Sequence, residues 1–225
     1  MVNIIRLIKH SFKVIIQNLL PFKIRHFFWS LIPKIELLNT YSLTNPVYID
    51  NLRQIDPKFM IREINAQDWD ALKKAHESRN PGSFERKVPP RLKHNAWKGL
   101  AVFDTTNEYI AYIAWVVTSS IPYLEEFNIY IQKNQFCLKD GYCVPEYRHQ
   151  GLHTRMERER INYCIRNGAR KIFIQIHNSN IKGKISVKDN GYNLYKSDYI
   201  IFWPIFNIYR NLKAFLKNPF RKIVK

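Results

Sequence analysis

The chain has three cysteines in 225 residues, Cys137, Cys143 and Cys164. Their spacing fits no metal site, because structural zinc needs paired Cys or His at short intervals, so no metal is expected. The odd number gives no disulfide framework and implies reduced thiols, packed as small apolar side chains in a cytoplasmic protein. Glycine is scarce, at seven residues. There is no GxxxxGK[ST] phosphate loop, no Gly-x-Ser-x-Gly and no HExxH. A Rossmann reading fails as well, since the turn at Gly151 lacks the first glycine and no βαβ unit repeats. Acidic residues number 18 against 36 Lys and Arg, and none follows Asp198. No uncharged apolar run is long enough to span a bilayer. In residues 1–20, His10 and Lys13 interrupt the apolar character and no small-residue cleavage site follows, so no signal peptide is expected. Internal repeats and low-complexity linkers are absent.

What remains is a globular composition, 46% apolar, with a net charge of +18. The length suits one domain with extensions. Such charge speeds encounter with any anion and does not choose among them. Biased coding, an anionic membrane surface, nucleic acid and an acidic substrate all stay open, with nucleic acid a weak candidate. Ile4, Ile8, Phe12, Ile15 and Leu19 form a stripe at helical spacing beside Arg6, Lys9, His10 and Lys13. Residues 204–225 carry a second set, Ile205, Ile208, Tyr209, Leu212, Phe215 and Leu216, among Lys and Arg. Each segment reads as a basic amphipathic helix, suited to a peripheral site on the inner face of a membrane or to docking on its own domain.

The centre of the chain is Val144-Pro145-Glu146-Tyr147-Arg148-His149-Gln150-Gly151-Leu152-His153-Thr154. Before it, residues 135–144 are rich in aromatic, β-branched and Cys residues and read as a strand. After it, residues 152–166 read as a helix. Unpaired N–H groups at a helix start, the helix dipole and the Arg148 charge converge on one spot, and Gly151 lets a ligand approach the backbone. The expected guest is an anion, most plausibly a pyrophosphate. Asn167-Gly168 signals the helix end. A strand over 170–177 follows, then a helical stretch over 180–190 closing in Gly191-Tyr192.

This order resembles the GNAT superfamily of acyl-CoA-dependent N-acyltransferases over about residues 59–203. Val144 to Gly151 is similar to the family's pyrophosphate loop, Arg/Gln-x-x-Gly-x-Gly/Ala. The segment from Asn180 to Tyr192 is similar to its later Asn…Gly-Phe/Tyr segment. The resemblance implies an α/β fold with a twisted, mostly antiparallel sheet flanked by helices, and an acyl-CoA donor, acetyl-CoA in the simplest case. It implies that Arg148, His149, Gln150, Gly151, Leu152, His153 and Thr154 hold the pyrophosphate. Backbone groups of Tyr142 and Val144 would meet the pantetheine arm, with Asn180 nearby. Two positions depart from the family pattern. His153 stands where a small residue is usual, and Val187 stands where many members have a Tyr acting as general acid.

The rest of the chain fits around this centre. Residues 1–58 read as an extension, with a short strand at 47–49. Residues 60–64 alternate like a strand, and Asn65 or Asp68 can cap a helix over 69–78. Residues 84–95, with Pro89-Pro90, read as a mobile loop. Residues 99–103 and 109–117 read as a hairpin, and 194–203 as a strand.

Transfer to an amine needs a base for the amine proton and an acid for the departing thiolate. Asp140 is the first candidate base, with Glu125 and Glu126 behind it. Tyr195 and Ser197 are candidates to replace the missing Tyr. The reading is an enzyme acylating a primary amine, on an amino sugar, an amino acid or a lipid. The alternative is a catalytically degenerate module that binds membrane or RNA.

Overall fold

The computed structural model describes residues 34–79, 82–203, 208–212 and 216. The stripe over 1–20 and most of the 204–225 tail lie outside the described residues. The chain divides into a larger unit, 37–198, and a smaller one that contains the described residues 34–36, 199–203, 208–212 and 216.

In the larger unit the strands are β1 (Lys34–Thr44) from Leu37 on, β2 (Phe59–Glu63), β3 (Trp97–Asp104), β4 (Tyr109–Val117), β5 (Gln135–Cys143), β6 (Lys171–His177) and the first part of β7 (Asn193–Trp203). The helices are α1 (Trp69–Arg79), α2 (Ser83–Lys93), α3 (Pro122–Glu126), α4 (Leu152–Arg166) and α5 (Ile181–Asp189). The sheet order is β2-β3-β4-β5-β6-β1-β7. β5 and β6 run parallel, while β2–β3, β3–β4, β4–β5 and β1–β6 are antiparallel.

β4 is the middle of the core. Residues 110–117 are all buried, which is why this strand reads as one unbroken apolar run. Tyr112, Ala114 and Val116 share a core with Leu152, Met156, Ile161 and Cys164 of α4. Ile113 and Trp115 share the other with Leu72 and Ala75 of α1 and Phe84 and Val88 of α2. Each large apolar side chain buried this way contributes about 1.5–3 kcal/mol. Cys137 and Cys164 are fully buried, and Cys143 partly so. Burial pushes the Cys137 thiol up to about 11, so it stays protonated at neutral pH.

The helix ends follow local chemistry. Before α1, Asn65 accepts from the Gln67 N–H and Asp68 returns the bond to the Asn65 N–H, a reciprocal cap that uses both expected residues. α4 runs over the expected residues 152–166 and ends where Gly168 (φ 81°) lets Ala169 N–H reach Cys164 O.

Four local expectations need correction. Residues 83–93 form a helix, not a mobile loop. Phe84 and Val88, four apart, are buried, and Trp69 meets Phe84 edge-on at 4.8 Å, which offsets the helix bonds lost at Pro89 and Pro90. Residues 47–49 form no strand. β1 lies within the stretch read as an extension, yet seven residues, Leu38 to Thr44, pair with β6. Its buried Asn39, Thr40 and Ser42 hide the strand pattern, and Asn39 is held by Ser197 Oγ at 2.7 Å. In the smaller unit, Ile200, Ile201, Phe202 and Trp203 pair antiparallel with Asn211, Arg210, Tyr209 and Ile208 of β8 (Ile208–Asn211). The helical spacing read over this part of the tail is therefore overruled by strand pairing, with Arg210 and Asn211 buried.

Candidate active site

The site begins with an irregularity in β5. Opposite β4, Tyr142 faces Ile113 and Lys139 faces Trp115, so Asp140 and Gly141 together oppose the single residue Ala114. The extra residue is a β-bulge, and Asp140 takes a left-handed φ of 46°. On the other side, the β5–β6 ladder ends at Leu138 and Ile174, although β5 continues to Cys143 and β6 to His177. The two parallel strands part there. Because they are parallel, the loops that leave them lie at the same end of the sheet, and α4 and α5 both start there. Asn180 caps α5 by accepting from Gly183 N–H at 2.9 Å.

The loop holds a run of special backbone. Pro145–Tyr147 is one 3-10 turn, His149 has φ 65°, and Gly151, the residue just before α4, has φ 78°. No side chain caps α4. Its first N–H groups are therefore left to face whatever lies before the helix. Arg148, His149 and Gln150 are exposed, Gly151 and Thr154 are half-buried, and Leu152 anchors the helix in the core. Arg148 Nε lies 3.4 Å from the Cys143 carbonyl. His153 turns Nδ1 to Tyr112 Oη at 2.7 Å. Gly141 makes that contact possible, since a Cβ there would sit 2.6 Å from the Tyr112 oxygen. The bulky ring at 153 thus has a built partner.

At Val144 the backbone turns to β4 and to its own loop. Val144 N–H donates to Ala111 O on β4, and the Val144 carbonyl accepts from Tyr147 N–H. Backbone groups alternate sides along a strand. The groups of Cys143, rather than those of Val144 or Tyr142, therefore face the parting. The Tyr142 side chain meets Ser78 Oγ at 3.2 Å on the α1 side.

Both faces of the bulge are braced by arginine. On one, Arg91 of α2 pairs with Asp140 and lies over the rings of Trp97 (4.3 Å) and Trp115 (5.1 Å). Burial would push the Asp140 carboxyl up, but Arg91, Lys139 and Lys87 hold it well below the usual carboxylate range. A carboxylate so held accepts a proton poorly, which counts against Asp140 as the base. Lys139 bridges the parted strands, donating from Nζ to Gln175 Oε1 at 3.0 Å over the Tyr123 ring at 4.4 Å. Burial lowers the pKa of its ammonium, against the pull of Cys137 and Asp140. On the other face, Arg160 of α4 is 1% exposed, pairs with Glu157, and donates from Nη1 to the Lys139 carbonyl at 3.2 Å. Burial opposes its charge, and Glu157, Tyr112 and Tyr192 together more than offset that.

The remaining candidates are scattered. Glu125 and Glu126 end α3, on the connection between β4 and β5. Tyr195 stands edge-on to Phe173 at 5.5 Å with Lys171 over its ring at 4.5 Å. That is near the start of β6, whereas the strands part after Ile174, so the structure does not bring Tyr195 to the parting. Ser197 is engaged with Asn39. Val187 is 2% exposed in the core. Arg91, Lys139 and the Glu157–Arg160 pair were missed from sequence. Only the last left a signal, as two charges on the apolar side of α4 between Met156 and Ile161.

No family model matches the sequence, and no curated protein matches it. Solved structures do. One is a GCN5-related N-acetyltransferase from Sphaerobacter thermophilus, at 14% identity and a TM-score of 0.57, with 74% of this chain and 50% of that one covered. A tandem GNAT protein from the clavulanic acid biosynthesis pathway aligns at 10% identity and 0.56, covering 73% and 52%. A glucosamine N-acetyltransferase region of a fungal multi-domain GH3 β-N-acetylglucosaminidase aligns at 9% and 0.55, covering 80% and 22%. The chain spans about half the length of the first two. At these identities the likeness is one of fold, and the chain has the fold of the GNAT acetyltransferases.

Proposed function

We propose that the protein transfers an acyl group, acetyl in the simplest case, from coenzyme A to a primary amine. The observation that carries this is the parting of β5 and β6 beyond Leu138 and Ile174, ending at an uncapped helix start with Arg148 and Gly151 in the loop. A thioester-bearing arm between the strands would find the backbone N–H of Cys143 beside it, and the Cys143 carbonyl that Arg148 Nε now reaches. Its diphosphate would lie before α4, against the N–H groups of residues 149–153 and the Arg148 guanidinium. Leu152 seats the helix start and Thr154 borders it, while Asn180 stands on the opposite side of the arm.

The amine nitrogen attacks the thioester carbonyl, the C–S bond breaks, and the departing thiolate takes a proton from water. Glu125 or Glu126, acting through water, is the proposed acceptor of the amine proton. Asp140 and Arg91 instead set the field at the bulge. One of the similar folds is a glucosamine N-acetyltransferase region, so an amino sugar is the first acceptor to test, ahead of amino acids and lipid amines. Calorimetry with acetyl-CoA, followed by thiol release against a panel of amines, tests the reading. A chain that binds no acetyl-CoA sinks it.

Binding without thiol release would favour the second reading, a module without catalysis. The buried Val187 and the neutralised Asp140 support that reading. Peripheral attachment through 1–20 is proposed on the sequence stripe alone, since residues 208–211 of the tail pair as a strand. Flotation with anionic vesicles at low salt, using nuclease-treated protein, tests it, and absence of flotation ends it. No described helix is long and apolar enough to cross a membrane.

A further inference from the structure

We infer that Arg53, carried to the loop by a strap of chain along α4, is a phosphate-binding residue of the donor site. The inference rests on the acyl-CoA reading above. Residues 48–53 precede the domain read from sequence and belong to no strand or helix. They are held by side chains of α4, one after another. Arg166 Nη1 donates to Tyr48 Oη at 3.3 Å. Asn162, fully buried, accepts from Ile49 N–H and donates to Ile49 O, both at 2.9 Å. Arg158 Nη1 donates to Asn51 O at 2.9 Å. Arg155 Nη1 donates to Arg53 O at 3.1 Å. Positions 155, 158, 162 and 166 form one stripe of the helix. The strap therefore runs against the direction of α4 and arrives at its first turn.

There the Arg53 side chain lies across Gly151. A Cβ on Gly151 would sit 2.5 Å from Arg53 Nε and 2.9 Å from Cζ. The glycine thus serves two needs, a left-handed φ and room for a guanidinium laid on the backbone. Arg62, Arg91, Arg155 and Arg160 each pair with a carboxylate. Among the described residues no carboxylate pairs with Arg53, which is exposed. A planar guanidinium at an uncapped helix start is suited to paired phosphate oxygens. The strap fixes where it stands, so little ordering remains to be done on binding.

The test uses the full chain, titrated with acetyl-CoA by calorimetry. Arg53→Ala should weaken binding about 10–100-fold, and Arg53→Lys should recover part of the loss. Arg158→Ala, which releases one strap contact, should weaken binding in the same direction by less. The melting temperature of unliganded Arg53→Ala should match wild type, because the side chain is exposed, while the shift produced by acetyl-CoA shrinks. Wild-type binding with Arg53→Ala binding within twofold overturns this inference and leaves the acyl-CoA reading intact. A lowered unliganded melting temperature that accounts for the lost affinity also overturns it. If wild type itself binds no acetyl-CoA, the donor reading fails and takes the inference with it.

Discussion

At the bulge of β5, Arg91 and Arg160 each meet a carboxylate, one from the strand itself and one from the next turn of the same helix. A few residues further on, at the loop, Arg148 and Arg53 meet none among the described residues and stand exposed. The same side chain thus does opposite work in adjoining regions. Paired and buried, it holds a strand in a shape that its ladder no longer enforces. Exposed and paired with no described carboxylate, it presents its charge to solvent. A net charge of +18 says nothing about which arginines do which.

The difference can be broken most forcefully at the buried pair. Arg160→Met leaves Glu157 as an uncompensated buried charge and should cost about 3–5 kcal/mol of stability, read by urea denaturation. The double variant Glu157→Met/Arg160→Met should recover most of it. A single variant as stable as wild type would mean the pair braces nothing.

At the loop, Gly151→Asp places a side chain at φ 78°, collides with Arg53, and sets a carboxylate where the donor phosphates would lie. Acetyl-CoA binding should weaken by roughly 100-fold or more. Equal binding by the two proteins in calorimetry would remove the loop from the site. Arg148→Ala deletes one charge-assisted contact and should cost about 1.5–3 kcal/mol of affinity. Unlike Arg160→Met, it should leave the urea midpoint unchanged.

Asp140→Asn sharpens the contrast by pH. The Asp140 carboxyl is held low in the folded state, so it adds stability above the ordinary carboxylate pKa of about 4 and loses it as pH falls through its own lower value. The variant should be less stable by about 1–3 kcal/mol at neutral pH and should lose less on acidification. Its pH–rate profile near neutrality, with any identified acceptor, should keep the wild-type shape. Disappearance of an acid limb would restore Asp140 as the base. The smallest effect is expected outside both regions. Asn65→Ala removes the side chain that accepts from Gln67 N–H in the reciprocal cap before α1 and should cost about 1 kcal/mol, measured as a lower thermal midpoint.

Legibility in the sequence followed how local the physics is. The bounds of α4 could be read because its apolar stripe, its leading glycine and the Asn167-Gly168 end all lie within one stretch. β2, the β3–β4 hairpin and β6 were readable for the same reason. α2 was misread because Pro89 and Pro90 speak locally, whereas the burial of Phe84 and Val88 against α1 and the sheet does not. β1 was missed because polar Asn39, Thr40 and Ser42 are buried in it, and Asn39 finds its partners far along the chain, Asn178 and Ser197.

For the site, a strand, an Arg-x-x-Gly turn and a helix start sufficed to point to an anion, since backbone N–H groups and a helix dipole follow from the elements alone. Where β5 leaves β6, and that Asp140 spends its charge on Arg91, depended on residues 49 positions apart coming together. So did the arrival of Arg53 on Gly151, where each contact of the strap joins residues more than a hundred positions apart. The sequence by itself determined the strand, turn and helix around Gly151 and the electrostatic character of the loop, because these depend on neighbours within one or two turns. Only the tertiary structure decided which charges are neutralised and which remain available, because pairing depends on which side chains the packed sheet and helices bring within a few ångströms.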